Sequence, residues 1–380
     1  MSWGDWLAGT VGNRSQPAVR GTMPAMEAVV IAGGLGSRLR PLTDRRPKQA
    51  LPVAGVPLLA HQLVRLATAG VEHVVVAAGY RAEELAAVLG DGSRYGTRLT
   101  FVREQFPLGT GGAIRGAADH LEGAGDDPVL VLNGDQLSDH DLAVQVAAFQ
   151  DAGADVSLHL VVVADPRRYG CVPTGADGWV LGFEEKSPDP TTRQVNAGCY
   201  VFRRAVIATI PADTVVSVER ETFPGLVRDG RHLVGYRADG YWTDVGTPAA
   251  LVRTSSDVVR GLARSPARAE PPGERLVHPR ACVHPGARVV GGSAVGPGCR
   301  VEDGAFLDGS LLMDHAVVAA GATVVHAALG PAAEVGRDCV VDGSVLGDGA
   351  RLGARCELRG RARIGCDVRV PDDGMWFGTP

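Results

Sequence analysis

The sequence predicts an α/β protein in two parts: a mostly parallel mixed sheet flanked by helices, and then a parallel β-helix built from hexapeptide repeats. Short apolar runs alternate with helix-like segments up to residue 260, as in a sheet with helices on both faces. Residues 261–275 are rich in Pro, Ala and Arg and lack apolar periodicity, and after them apolar residues recur every six positions. With 380 residues, the chain is also longer than one compact core usually accommodates.

The first part is an alternation of strand-like and helix-like segments, which predicts parallel strands joined by helices. In order, these segments are 28–32, 57–70, 74–77, 82–89, 99–102, 111–121, 129–132 and 142–152. Ligands bind beyond the carboxyl ends of the strands in such sheets. An apolar run, a turn and a further strand-like segment then favour an antiparallel insertion for a second substrate; they are 156–163, 175–178 and 180–184.

The second part carries the six-residue repeat. Three hexads would complete one triangular turn of a β-helix, with the apolar residue of each hexad pointing inward. The repeat predicts a shift in register after Val325 and a one-residue slip after Val341. The predicted inward positions are Val277, Val283, Val289, Val295, Val301, Leu307, Met313, Ala319, Val325, Val335, Val341, Leu346, Leu352, Leu358, Ile364 and Val370.

These patterns divide the chain into five segments. We expect a disordered extension at residues 1–26, a first domain at 27–260 and a linker at 261–275. The β-helix is predicted at 276–372 and a tail at 373–380.

Charge and composition exclude several classes of protein. The net charge of −5 gives no general attraction to nucleic acid or to an anionic membrane, and no apolar run reaches the roughly 18 residues of a membrane span. The seven cysteines are odd in number and form no Cys-x-x-Cys pair, so neither a disulfide framework nor a zinc site is indicated. We expect a cytoplasmic protein with free thiols and with neither nucleic acid nor membrane as a partner.

A glycine-rich segment, 33–43, follows the first predicted strand and indicates a phosphate site. Glycines let backbone N–H groups approach phosphoryl oxygens, and Arg38, Arg40 and Lys48 lie close by in sequence. The segment is not a dinucleotide fingerprint, because Leu39 stands where the third glycine belongs, and no Gly-Lys dipeptide of a P-loop occurs in the chain. The alternative is a tight turn with no ligand.

Lysine is rare, which draws attention to Lys48 and Lys186. The chain has 36 arginines and these two lysines, so each lysine is expected where a compact ammonium is needed. Two carboxylates stand out similarly: Asp135 ends a buried strand, and Asp244 lies in Tyr-Trp-Thr-Asp-Val-Gly-Thr. Together they would suit Mg²⁺, whereas each alone is equally consistent with a cap or a turn. For Lys186 the alternative is a solvated ion pair with Glu185.

Seven motifs occur in one order along the chain. They are GGLGSRLRPLT (33–43), PK (47–48), EQFPLGTGGA (104–113), NGD (133–135), EK (185–186), NAG (196–198) and YWTDVGTP (241–248). This ordered set resembles the sugar-phosphate nucleotidyltransferases, and among them the bacterial mannose-1-phosphate guanylyltransferases. The resemblance covers nearly everything after residue 26 and implies a Rossmann-like nucleotidyltransferase domain followed by a left-handed β-helix.

The resemblance also implies substrates and roles. It implies transfer of NMP from an NTP, with GTP favoured, to a sugar 1-phosphate, with mannose 1-phosphate favoured, aided by Mg²⁺ in a homo-oligomer assembled through the β-helix. The implied nucleotide-binding residues are Ala32, Gly33, Gly34, Gly36, Gly109 and Thr110. The implied catalytic cations are Arg38, Lys48 and Lys186, the metal ligands are Asp135 and Asp244, and the sugar-phosphate residues are Gly170, Glu185, Lys186 and Asn196.

Two departures keep alternatives open. Gln49 follows the lysine where guanylyltransferases have Pro and thymidylyltransferases have Gln, and Gln136 after NGD is unusual. Another NTP, another hexose or a cyclitol 1-phosphate such as valienol 1-phosphate therefore stays open. A non-catalytic regulatory homologue is a second alternative, and an acyltransferase that uses a β-helix histidine is a third. The histidines considered for that third alternative are His278, His284, His315 and His326.

Overall fold

The computed structural model describes residues 26–104, 106–268 and 270–378. The predicted extension lies outside these residues except for Met26, which begins the first strand. The helices are α1 (Leu58–Thr68), α2 (Ala82–Leu89), α3 (Gly109–Ala118), α4 (Leu142–Asp151), α5 (Arg204–Ile207), α6 (Phe223–Arg228) and α7 (Pro248–Val259). The first strands are β1 (Met26–Ala32), β2 (Pro52–Val53), β3 (Val56–Pro57), β4 (Val71–Ala78), β5 (Arg98–Arg103), β6 (Pro128–Asn133), β7 (Gln136–Ser138), β8 (Val156–Val162), β9 (Gly170–Cys171), β10 (Glu184–Glu185), β11 (Gln194–Arg203), β12 (Leu233–Arg237) and β13 (Trp242–Asp244).

Nine of these strands form one mixed sheet. Its order is β10-β9-β11-β6-β1-β4-β5, with β8 paired to β11 and to β12. Strands β6, β1, β4 and β5 run parallel, whereas β11 is antiparallel to both β6 and β8. The parallel centre and the antiparallel insertion are both as the sequence predicts, and the carboxyl ends of β1, β4 and β6 meet at one edge.

Local chemistry accounts for the helices that cover this sheet. The Asp141 side chain caps α4 by accepting hydrogen bonds from the N–H groups of Ala143 and Val144. Helix α6 brings Phe223 against Tyr200 and Phe202, whose rings are buried in the sheet's core. Aromatic contacts of this kind stabilise the packing beyond the area that they bury.

The C-terminal part is a β-helix of three parallel six-stranded sheets, which confirms the predicted fold class. Its strands are β14 (Arg275–Val277), β15 (Cys282–Val283), β16 (Arg288–Val290), β17 (Ser293–Val295), β18 (Arg300–Val301), β19 (Phe306–Asp308), β20 (Leu311–Leu312), β21 (Val317–Val318), β22 (Thr323–Val325), β23 (Ala328–Leu329), β24 (Glu334–Val335), β25 (Val340–Asp342), β26 (Val345–Leu346), β27 (Arg351–Leu352), β28 (Glu357–Arg359), β29 (Arg363–Ile364), β30 (Arg369–Val370) and β31 (Met375–Phe377). Every third strand joins the same sheet, so each coil stacks on the one before it.

The inward register differs from the predicted one over one coil. The core contains Leu312, Val318 and Val324 rather than Met313, Ala319 and Val325, so the slip occurs directly after Leu307. The reason lies in the corners. The corner after β16 uses two residues with positive φ, Gly291 and Gly292, and its coil has 18 residues.

The corner after β19 has one residue fewer in the left-handed region. Gly309 alone has positive φ there, and Ala294 pairs with Leu311, 17 residues on. After β28, Gly360 and Arg361 both have positive φ again, and Leu346 pairs with Ile364, 18 residues on. The number of left-handed corner residues therefore sets the coil length, and apolar spacing alone does not show where a 17-residue coil begins.

Two predicted boundaries also differ. The predicted tail, residues 373–380, contains strand β31, which pairs with β28 and continues the β-helix. The segment 180–184 is not one strand: Val180 forms an isolated bridge with Thr174, and the paired residues of β10 follow it.

The described residues divide into two compact units. One comprises residues 26–34 and 62–242 and contains the mixed sheet. The other comprises residues 35–61 and 243–378, so it joins the segment after the first strand to α7 and the β-helix. No helix in the described ranges combines the length and hydropathy that crossing a bilayer requires. All seven cysteines are free thiols; Cys282 is exposed, Cys366 is half-buried and the others are buried.

Candidate active site

The glycine segment begins where β1 ends, at the carboxyl edge of the sheet. Ala32 is buried beside Ala78 of β4, and Gly33 follows it. A side chain at Gly33 would collide with the carboxylate of Glu104, and one at Gly79 would come within 3.0 Å of the Gly33 carbonyl oxygen. The ends of β1, β4 and β5 therefore lie close together. The backbone of Gly33 leaves little room for a side chain at Gly79, the nearest neighbour of Gly33 is the end of the Glu104 side chain, and Gly34 is exposed.

In the second unit, Gly36 forms a turn beside Lys48 and Thr43. It has φ +62, and its carbonyl oxygen accepts a hydrogen bond of 2.8 Å from the Thr43 hydroxyl. A Cβ atom on Gly36 would lie 3.1 Å from the Cβ atom of Lys48. The stem of Lys48 thus packs against the glycine turn.

Arg38 and Asp244 also lie together in this unit. The Nη2 atom of Arg38 is 3.8 Å from Oδ2 of Asp244, and their side chains are 67% and 28% exposed. A Cβ atom on Gly246 would be 2.5 Å from Arg38 Nη2 and 3.1 Å from Asp244 Oδ1. Gly246 therefore leaves the space that this ion pair occupies.

Asp135 lies in the turn between β6 and β7. The Gly134 N–H donates to the Ile31 carbonyl oxygen at 2.8 Å, which fixes this turn beside the end of β1. Gln62 Nε2 donates to the carbonyl oxygens of Asn133 and Gln136. The side-chain oxygen of Asn133 is buried and has no hydrogen-bond partner among the described residues. The turn thus offers oxygen atoms of the kind that hard divalent cations prefer.

The predicted sugar-phosphate residues Gly170, Glu185 and Lys186 are neighbours. Gly170 pairs with Glu185 across β9 and β10, and a Cβ atom on Gly170 would be 2.6 Å from Glu185 Oε2. The Lys186 Nζ atom lies 3.3 Å from Glu185 Oε1, and its side chain is 61% exposed. The exposed Lys186 ammonium thus lies beside the mostly shielded Glu185 carboxylate at the end of the β9–β10 hairpin.

Asn196 begins a bulge in β11, and its side chain forms hydrogen bonds with neighbouring residues of the same strand. Its Oδ1 accepts from the Gly198 N–H at 2.9 Å, and its Nδ2 donates to the Tyr200 hydroxyl at 2.7 Å. Gly198 has φ +65, and a side chain there would collide with the amide groups of Gln136 and Asn133. Asn196 therefore shapes the bulge, and Gln136 is an additional polar group beside it that the motif did not assign.

Gly109 and Thr110 begin α3, and both contact the segment 216–219 of the protein. Gly109 has φ +73, and a Cβ atom there would be 2.5 Å from the Val216 carbonyl oxygen. The Thr110 hydroxyl donates to Glu219 at 2.7 Å and accepts from the Val218 N–H at 2.9 Å. Both residues thus fix the loop, and the Thr110 hydroxyl already has two partners.

Glu104 is the first residue of the EQFPLGTGGA motif, and the family resemblance assigns it no role. Its Oε1 atom is buried without a hydrogen-bond partner among the described residues, and its carboxylate lies against Gly33. Burial raises the pKa of this carboxyl, while a hydrogen bond from the Leu108 backbone opposes the shift. A cavity of about 410 Å³ beside it is lined by Val102, Phe106 and Ala113 among others.

Comparisons with known proteins identify the family. Residues 27–261 match the family described as "Nucleotidyl transferase", and residues 272–362 match "GMPPB C-terminal domain". "Mannose-1-phosphate guanylyltransferase" of Mycobacterium tuberculosis (strain ATCC 25618 / H37Rv) is 50% identical over 254 residues, which cover 67% of this chain and 70% of that protein. "Mannose-1-phosphate guanyltransferase" of Schizosaccharomyces pombe is 36% identical over 59% of this chain and 61% of its own length.

A solved structure agrees with these matches. HddC from Yersinia pseudotuberculosis, complexed with GMP-PN, superposes with a TM-score of 0.53 at 26% identity, covering 61% of this chain and 99% of that one. Because the family match spans more than half of the sequence, the chain belongs to the nucleotidyl transferase family.

Proposed function

We propose that the protein transfers GMP from GTP to mannose 1-phosphate, releasing pyrophosphate and forming GDP-mannose. The observation that carries this proposal is the environment of the two lysines. Lys48 packs against the Gly36 turn, and Lys186 stands beside Glu185 on the β9–β10 hairpin. The chain has 36 arginines and only these two lysines, and both lysines are at positions predicted to bind phosphate. The name of the relative that is 50% identical supports the choice of substrates.

The chemistry needs charge neutralisation rather than a base. A sugar 1-phosphate is mostly dianionic at pH 7, by analogy with other phosphate monoesters. One of its oxygens attacks the α-phosphorus of the nucleoside triphosphate in line, the new P–O bond forms, and the bond to pyrophosphate breaks. Arg38 and Lys48 would hold the triphosphate, and Lys186 would hold the attacking phosphate. Their task is to align two anions that repel each other.

The sugar is proposed to bind at the β9–β10 hairpin and the β11 bulge. Glu185 and Gly170 are adjacent there, and the Glu185 carboxylate can accept hydrogen bonds from sugar hydroxyls. Asn196 keeps the bulge in shape through Gly198 and Tyr200. We propose that Gln136, beside the same bulge, contributes to the choice of acceptor.

We propose Asp135 and Asp244 as ligands of Mg²⁺. Their carboxylates are the oxygen donors that suit a hard cation, and the buried oxygen of Asn133 beside Asp135 adds to that character. A bound Mg²⁺ would neutralise charge on the phosphates. Asp135→Asn and Asp244→Asn should each require more Mg²⁺ for half-maximal activity, while Asp229→Asn, at an exposed helix end, should match the wild type. Unchanged Mg²⁺ titrations in both site variants would contradict the assignment.

Glu104 supports guanine as the base. A carboxylate oxygen that is buried without a partner can accept from N–H donors, and guanine presents N1–H and N2–H₂ side by side. Glu104→Gln should lower kcat/KM for GTP roughly tenfold to 100-fold and reduce the preference for GTP over ITP, which lacks the N2 amine. An unchanged ratio of GTP to ITP would remove Glu104 from base recognition.

The decisive experiment is a panel of nucleoside triphosphates against several sugar 1-phosphates, followed by pyrophosphate release. The highest kcat/KM is expected for GTP with mannose 1-phosphate. A higher value for dTTP, or for a cyclitol 1-phosphate, would replace the proposed substrates but keep the chemistry. No pyrophosphate with any pair would favour the regulatory homologue.

We further propose that the protein is a cytoplasmic homo-oligomer assembled through its β-helix. The last strand, β31, exposes Met375, Trp376 and Phe377, and a sheet edge with exposed apolar side chains is suited to pairing with another chain. The free thiols suit a reducing compartment. Light scattering of the full chain should give a multiple of 39.5 kDa, and a monomer would contradict assembly.

A further inference from the structure

The segment 36–50, here termed the cation loop, carries both Arg38 and Lys48. The cation loop and the β-helix belong to the same compact unit. The Arg46 guanidinium makes a two-pronged contact with the Asp348 carboxylate, with Nη1–Oδ1 at 3.0 Å and Nη2–Oδ2 at 2.5 Å. These side chains are only 21% and 10% exposed. A bidentate, shielded pair of this kind is among the stronger polar contacts in proteins.

The same guanidinium reaches the backbone of the cation loop. Arg46 Nη1 donates to the Leu42 carbonyl oxygen at 3.1 Å, so Asp348 is connected through Arg46 to the backbone between the two catalytic cations. A second β-helix side chain, Arg363, donates to the Arg40 carbonyl oxygen at 2.8 Å. The β-helix thus holds the Arg40 carbonyl group directly through Arg363 and the Leu42 carbonyl group indirectly, because Asp348 fixes the Arg46 guanidinium that binds it.

The position of Arg38 depends on that backbone. Its side chain is 67% exposed and meets Asp244 at 3.8 Å, so side-chain packing contributes little to holding it in place. Inside the loop, the Thr43 hydroxyl holds the Gly36 carbonyl oxygen at 2.8 Å. A loop fixed before the substrate arrives loses less conformational entropy on binding a triphosphate.

We propose that the β-helix positions the cation loop for the triphosphate, with Asp348 as a positioning residue that acts through Arg46. The inference rests on the proposed function, because it assumes that Arg38 and Lys48 bind the triphosphate. It gives the β-helix a part in nucleotide binding that is separate from assembly.

The test is steady-state kinetics of the full-length enzyme carrying Asp348→Asn. With each second substrate saturating, kcat/KM for GTP should fall roughly tenfold to 100-fold, as for other displacements of about 1 Å, while KM for the sugar phosphate should change less than about twofold. Arg46→Lys keeps the positive charge but loses the two-pronged contact with Asp348, so it should lower kcat/KM for GTP to the same extent. The double variant Arg46→Asp, Asp348→Arg should recover part of kcat/KM.

A matched control is available on the same loop. Arg45 pairs with Asp367, but these side chains are 50% and 64% exposed, so Asp367→Asn should leave kcat/KM for GTP within about twofold of the wild type. Equal losses toward both substrates in Asp348→Asn and Arg46→Lys, with a lower Tm, would mean a purely structural role and overturn the proposal.

Lys48→Ala separates this proposal from the proposed function. If Lys48→Ala loses activity while Asp348→Asn and Arg46→Lys keep kcat/KM for GTP unchanged, positioning by the β-helix is wrong and the proposed function survives. If Lys48→Ala itself is as active as the wild type, the triphosphate assignment fails, and the positioning proposal fails with it.

Discussion

At the scale of single residues, Lys186 combines exposure with backbone strain. Its φ of +52 lies in the left-handed region, which a residue with a Cβ atom adopts at a cost of the order of 1 kcal/mol. The Lys186 N–H donates to the Tyr169 carbonyl oxygen at 3.1 Å, which holds the turn in this conformation. Gly would be favoured here if only the turn mattered. A strained lysine on an exposed hairpin therefore supports a role for its ammonium group.

Substitution of Lys186 separates that role from the fold. Lys186→Ala should lower kcat by about 10² to 10³, the usual loss when one preorganised charge donor is removed. Lys186→Gly should show the same loss of kcat with an unchanged or higher Tm, because glycine relieves the left-handed strain. The measurements are pyrophosphate release and thermal unfolding. A kcat near that of the wild type in both variants would exclude Lys186 from catalysis.

At the scale of elements, the bulge in β11 depends on one glycine. The pairing of β11 with β8 shifts register between Asn196 and Tyr200, and Gly198 lies inside that bulge with φ +65. The amide groups of Gln136 and Asn133 occupy the space that a side chain on Gly198 would need. The bulge thus brings the end of β6 and the start of β7 against β11, beside the proposed sugar site.

Gly198→Ala should therefore be costly. We expect a loss of at least about 1 kcal/mol in the free energy of unfolding from the left-handed backbone, with a further loss from the collision. KM for the sugar phosphate should rise, because Asn196 and Gln136 are displaced. Urea unfolding and initial rates measure these effects.

Gly182→Ala is the matched control. A Cβ atom on Gly182 would meet no atom within 4 Å, and the φ of Gly182 is not positive, so alanine should leave both stability and KM nearly unchanged. If Gly198→Ala behaves like this control, the bulge does not constrain the site.

At the scale of the whole molecule, two adjacent buried histidines couple stability to pH. The rings of His140 and His159 lie 3.6 Å apart, and both are almost fully buried. Burial, with a smaller contribution from the Arg65 charge, lowers the pKa of His140 to about 2 and that of His159 to about 3. Tyr236 lies at 6.1 and 6.4 Å from the two rings, and the Gln145 Oε1 atom accepts a hydrogen bond from His140 Nε2 at 2.9 Å.

The sign of the pH effect follows from these shifts. In the unfolded chain each histidine takes up a proton near pH 6.5, whereas in the folded protein both stay neutral down to about pH 3. Below pH 6.5 the unfolded state therefore binds more protons. Stability is fully present above about pH 6.5 and falls as the pH drops toward 3, with each histidine contributing on the order of 1 kcal/mol per pH unit.

His159→Leu should reduce the dependence of the free energy of unfolding on pH. Both ring nitrogens of His159 are buried without a hydrogen-bond partner among the described residues, so leucine should also raise the free energy of unfolding at pH 7.5. Urea unfolding between pH 7.5 and 4.5 measures both effects. His120→Gln, at an exposed position, should keep the dependence of the wild type. A His159→Leu variant with the same dependence as the wild type would show that this ring is protonated in the folded state.

Much of the site could be predicted from the sequence because its motifs follow strands whose ends meet at one edge. The parallel pairing of β1 with β6 continues to Ile31 and Asn133, so the segments that carry Gly33 and Asp135 leave the sheet from adjacent strands. The antiparallel pairing of β9 with β10 places Gly170 opposite Glu185. The internal hydrogen bonds of Thr110 and Asn196 could not be predicted in this way, since a motif gives a position in the chain and not the partners of a side chain.

The fold class, the order of the motifs and the hexad repeat were all predictable from the amino-acid sequence, because each depends on local spacing and strand periodicity. The tertiary structure alone decided the coil lengths, which depend on how many corner residues adopt positive φ. It also decided that Arg46 meets Asp348 across 302 residues of sequence, since neither residue lies in a pattern that local spacing could detect. Contacts between distant segments arise from the stacking of whole coils, and that stacking is a property of the folded chain.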